Sequence, residues 1–77
     1  MYEVVVKQGQ IQQAIPFMMP KNVELFSASL EEAAQIRQAA AAGALFVRVD
    51  SPDGEQLRVT RIWPDPHDQR RITLFLA

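Results

Sequence analysis

Apolar and polar positions alternate with two different periods along the chain, and the switch between them marks out the elements. Ala44-Leu-Phe-Val-Arg-Val49 and Leu57-Arg-Val-Thr-Arg-Ile-Trp63 alternate with a period of two, the signature of half-buried strands. Ser51-Pro52-Asp53-Gly54 between them carries proline at the second turn position and a glycine where a left-handed residue closes a bulge, which predicts a hairpin. Ser51 then faces Glu55. Counting outward pairs Val49 with Leu57, Val47 with Val59 and Leu45 with Arg61 on a core face. Arg48 with Arg58 and Phe46 with Thr60 form the opposite face, which Ile62 joins. Arg61 on the core side is expected to lie at the sheet's end or to snorkel past the helix.

Leu30 to Ala42 follows the helical period instead. At about 100° per residue, Leu30, Ala33, Ile36, Ala40 and Ala41 gather on one side, with Glu31, Gln35 and Gln38 opposite. Ser29-Leu-Glu-Glu32 fits a capping box at its start, and Gly43 a left-handed cap at its end. An alanine-rich inner face approaches a sheet closely but buries little area, so the strands must supply most of the core.

Tyr2-Glu-Val-Val-Val-Lys7 reads as a strand, and Gln8-Gly9 as a two-residue turn onto Gln10–Ile15 that pairs Val6 with Ile11. Val23–Phe26 is a short extended lead-in to the helix. Pro64-Asp-Pro-His-Asp-Gln69 is a polar loop, and Arg70–Ala77 a last strand whose two faces are both largely apolar. The order β-β-(β)-α-β-β-β describes one α+β domain over residues 1–77. It has a single antiparallel-rich sheet of about four to five strands with one α-helix packed across it.

Composition narrows the function. A chain of 77 residues is near the lower size limit for a self-sufficient core, so association would help it. The absence of cysteine excludes a disulfide scaffold, a thiolate metal site and a cysteine nucleophile, and makes the cytoplasm the expected compartment. With no apolar run near the roughly 20 residues of a membrane span and no leader pattern, a soluble, complete chain without membrane association is expected. A net charge of −1 and a pI near 5.7 disfavour general phosphate-backbone binding. Six of the eight basic residues are nevertheless arginines, five of them from Arg48 onward, which leaves room for a local basic face.

No catalytic set emerges. His67, the only histidine, has two aspartates near it but no further ligands at a metal-binding spacing. Ser27, Ser29 and Ser51 have cap or turn roles, and the isolated glycines form no phosphate loop. The expectation is therefore a protein that is not an enzyme and needs no cofactor or metal.

Two segments offer contact surfaces. Phe17, Met18 and Met19, held between Pro16 and Pro20, place three large apolar side chains in a loop. They suit either a cover over the open end of the core or an adaptable protein contact. Phe46, Arg48 and Arg58 offer guanidinium groups beside an aromatic ring, either as a salt-bridged solvent face or as a binding face for an acidic partner. The reading that joins these observations is a small non-catalytic protein-interaction module of the accessory or inhibitor sort, similar in size and build to those of phages and other mobile elements. The alternatives are a nucleic-acid-binding domain using an arginine-bearing sheet face, and a homodimer formed through edge strands or the apolar last strand.

Overall fold

The computed structural model describes residues 1–13 and 21–77. The Phe17-Met18-Met19 segment lies outside the described residues. The chain order is β1 (Tyr2–Val6), a 3-10 turn (Gln8–Gln10), β2 (Ile11–Gln12), β3 (Asn22–Phe26), α1 (Leu30–Ala41), β4 (Leu45–Val49), β5 (Gln56–Asp65) and β6 (Asp68–Leu76). Among the described residues the fold is α+β, one helix on a mixed sheet of six strands in the order β1-β4-β5-β6-β3-β2. This corrects the expected four to five strands. Val23–Phe26 is a full strand in the sheet rather than a lead-in, and the final strand lies inside the sheet between β5 and β3. A second copy therefore finds no free edge on it.

The N-terminal turn is the largest departure from expectation. Gln8–Gln10 form a 3-10 turn in which the Gln10 N–H donates to the Lys7 carbonyl at 2.9 Å, and β1 runs parallel to β4, with Tyr2 level with Leu45 and Val6 with Val49. β2 pairs with β3 instead, Ile11 level with Val23. Parallel pairing with a distant strand leaves no local trace in sequence, whereas a Gln-Gly step between two apolar runs mimics a hairpin.

The β4–β5 hairpin forms, with its register two residues tighter than the turn chemistry suggested. Phe46 faces Arg58, Val47 faces Leu57, and Arg48 faces Gln56. Arg48 and Arg58 are thus not opposite each other. The proposed turn is present, the Gly54 N–H donating to the Ser51 carbonyl at 2.9 Å, but the left-handed residue is Asp50 (φ 69°) and not Gly54. Asp50 is held from three sides. Its N–H donates to the Val6 carbonyl at 2.7 Å, its carboxylate accepts from the Gln8 N–H at 2.8 Å, and the Ser51 N–H donates across it to Val49 at 2.9 Å. Gly54 is needed for a different reason: a Cβ there would collide with the Val49 carbonyl oxygen.

A two-residue shift preserves which face each side chain takes, so Leu45, Val47, Val49 and Val59 are buried as expected. That parity ends at Thr60, where the β5–β6 ladder slips by one residue between Val59 and Arg61. Beyond the bulge Ile62 turns inward to pack on the core, and Arg61 turns outward, the reverse of the sequence reading. β5 then continues through Pro64 to Asp65, and β6 starts at Asp68, so the expected polar loop is only a tight turn. Asp65 accepts the His67 backbone N–H at 2.7 Å and Asp68 that of Arg70 at 3.0 Å, fixing the turn from both sides.

α1 behaves as its caps dictate. The Ser29 hydroxyl accepts from the Glu32 N–H at 3.1 Å, although among the described residues Glu32 makes no return bond. At the far end Gly43 (φ 70°) donates to Ala40 at 3.1 Å and Ala44 to Ala39 at 2.9 Å, the paired bonds of a Schellman motif. Ala33 and Ile36 are fully buried against Val23, Ile72 and Leu74, with Ala39 and Ala40 beside them. Leu30 and Ala41, expected on this face, are exposed, Leu30 by 58%. They sit at the two ends of a helix whose sheet contact is centred on Ile36.

Candidate functional site

The Arg48 face is tied up in its own sheet. The Arg48 guanidinium meets the Glu3 carboxylate at 2.7 Å and the Gly54 carbonyl at 2.9 Å, and Gln56 donates to the same Glu3 oxygen at 3.0 Å. These bonds, that of Arg48 first, hold the Glu3 carboxyl below the usual carboxylate range. Arg58 stands level with Phe46 and outside this network. Of the predicted contact residues, the structure therefore brings Phe46 and Arg58 together, and assigns Arg48 to a parallel-strand clamp that the sequence reading did not contain.

Beyond the bulge, the outer side of the sheet carries exposed rings and cations on β5, β6 and β3. The outward rows of β5, β6 and β3 read Arg61 and Phe75 with Asn22, then Trp63 and Thr73 with Glu24, then Arg71 with Phe26. Trp63 is 63% exposed and Phe26 56%. Phe75 is 9% exposed, with the Arg61 guanidinium 4.6 Å from its ring centre. Arg70 and Arg71 lie 4.6 and 5.9 Å from the Phe26 ring centre. Arg71 also pairs with Glu24 at 3.2 Å and Asp65 at 3.9 Å. Among the described residues Arg58, Arg61 and Arg70 have no carboxylate partner. Guanidinium groups resting on rings keep their N–H edges directed outward, preorganised for carboxylate or phosphate.

Sequence reasoning missed this face because the bulge at Thr60 reverses the facing of the rest of β5, and because Val23–Phe26 was read as a lead-in and not as a strand beside β6. The signal was faint but present. With Ile72 and Leu74 assigned inward, Arg71, Thr73 and Phe75 must point outward.

A groove of about 270 Å³ opens beside this face, lined by Arg37, Ala40, Ala41 and Val59–Ile62. It exists because β4 pairs with β5 only near Gln56–Arg58, after which the helix terminus rather than another strand flanks β5. Among the described residues no cluster of histidine, aspartate and glutamate could hold a metal, and no helix is long and apolar enough to cross a membrane. Comparison with protein-family models, curated proteins and solved structures finds no match for the chain.

Proposed function

We propose that this chain is a small non-catalytic interaction module that acts by occupying a surface on a larger protein, with the outer face of β5, β6 and β3 as its contact. The observation that carries the reading is the exposure of Trp63 and Phe26 among arginines on one sheet face. Tryptophan and arginine dominate the energetics of protein interfaces, and a large exposed ring on so small a body is costly unless something covers it. Two of the three rings already have a guanidinium over one face, which favours a protein surface over successive stacked bases. The cysteine-free composition fits the cytoplasm as the place of action.

The test is affinity capture from lysate of the source cell by the tagged parent and by Trp63→Ala. Because Trp63 is mostly exposed, the variant should melt close to the parent, and a protein captured by the parent should be depleted from its eluate. Identical captured sets would overturn the assignment of this face.

The unpaired Arg58, Arg61 and Arg70 support a second reading, a nucleic-acid surface. It requires binding to single-stranded DNA or RNA that falls steeply with salt and is lost in Arg61→Ala with Arg70→Ala. The first reading expects nothing tighter than roughly micromolar at physiological salt.

A further inference from the structure

The outer edge of β5 is an unfinished part of the sheet. Leu76 donates its N–H to the Lys21 carbonyl and so faces β3, which turns the neighbouring Phe75 toward β5, where it is level with Arg61. Alternation then aims the backbone of Arg61 and Trp63 at β6 and that of Ile62 and Pro64 away from it. Pro64, with no N–H to offer, fits a position whose nitrogen faces an open edge. Ile62 has both a donor and an acceptor there, and no strand among the described residues lies on that side at its level. The groove beside it is walled by the Ala40 and Ala41 methyls and by Arg37, whose guanidinium reaches across to the Gln69 carbonyl at 3.4 Å. Two arginines line it and no acid does.

We propose that this groove receives an extended acidic segment of the partner protein, which adds a strand to β5. The proposal rests on the interaction reading above and names its mode of recognition. The incoming backbone donates to the Ile62 carbonyl and accepts from the Ile62 N–H, completing the ladder that β4 leaves short. Side chains of an extended strand alternate, so one row enters the groove against Ala40, Ala41 and Ile62 and must be small or branched and apolar. The charged lining selects the chemistry of the rest: carboxylates on the outward row reach Arg61, whereas lysine there would be repelled by it. Trp63, on the outward side of the same edge, covers the segment from outside.

The experiment uses the whole chain labelled with nitrogen-15 and two capped heptapeptides, one alternating glutamate with valine and one alternating lysine with valine. In the free protein the Ile62 amide should exchange with solvent faster than the Trp63 amide, which faces β6. The glutamate peptide should shift and protect Ile62, bind at least about tenfold more tightly than the lysine peptide, and lose about tenfold in Ala41→Leu. Ala41 is exposed, so that variant fills the groove without entering the core. Equal binding of the two peptides, an unperturbed Ile62 amide, or displacement of the glutamate peptide by a thymidine oligonucleotide would overturn the proposal. If lysate capture is lost in Trp63→Ala but unchanged in Ala41→Leu, the module binds through its outer face alone, and strand addition is refuted while the interaction reading stands.

Discussion

Replacing Gly54 by alanine tests the geometry of the β4–β5 turn more sharply than any other single change. An ideal Cβ at Gly54 would overlap the Val49 carbonyl oxygen, stand 2.9 Å from the Val49 carbonyl carbon and lie 3.1 Å from the Ser51 carbonyl oxygen. All three are main-chain atoms, so no side chain can swing away. Relief requires moving the strand end that holds the Val49 N–H on Glu55 at 3.0 Å and the Arg48 guanidinium on the Gly54 carbonyl at 2.9 Å. Overpacking of this kind costs about 1–3 kcal/mol, and a weakened hydrogen bond about 1 kcal/mol more. A loss of about 2 kcal/mol lowers the melting temperature of a domain this size by about 8–16 °C. The control substitutions separate causes. Gly43→Ala should cost about 1 kcal/mol through its left-handed backbone alone. Gly9→Ala, in open space, should change stability by no more than about 0.5 kcal/mol. Gly54→Asn is decisive, since asparagine tolerates a left-handed φ but not a collision. Thermal melts in which Gly54→Ala ranks with Gly9→Ala, or in which Gly54→Asn matches the parent, would refute the close-approach argument.

Two further predictions concern charge and capping. Glu3 titrates below the ordinary carboxylate range because Arg48, and after it Gln56, bond to its ionised form. Its contribution is therefore full above the unfolded-state pKa and is lost as pH falls through the folded one, so denaturant midpoints of the parent should drop over that acidic window more than those of Glu3→Gln. Parallel curves would show the clamp to be inert. Ser29→Ala removes the hydroxyl that caps the start of α1, and urea unfolding should report a loss of about 1 kcal/mol, whereas Ser51→Ala, at an exposed turn, should lose less.

What could be read from the sequence was whatever neighbouring residues decide. Ser29 and Gly43 bound the helix, Ile36 and Ala33 mark its buried side, and Val47 and Val49 point into the core because alternation survives a shift of two residues. What could not be read depends on distant partners or on a single unpaired residue. The hydrophobicity of Val4 and Val6 says that β1 is a strand but not that β4 is its neighbour. The bulge at Thr60 has no distinctive residue, yet it decides whether Arg61 or Ile62 faces solvent, and with that the location of the candidate site. Phe46 and Arg58 were placed on one face correctly, and Arg48 was removed from it as a free contact by Glu3, an ion pair that only the parallel pairing of β1 creates.

That pairing sets a timetable for the chain. β5 and β6 meet across a two-residue turn and can zip locally, and β4 joins through a short loop. Tyr2 waits for Leu45. Closing so long a loop has an entropic cost that no early contact offsets, so β1 is placed to dock late in folding and to detach early on unfolding. During synthesis, Val4, Val5 and Val6 emerge well before the strand that will hold them has left the ribosome. Glu3 and Lys7 bracket those valines, and in an in-register parallel pairing of two unpaired β1 strands each would face its own like charge, which disfavours that pairing in the interval.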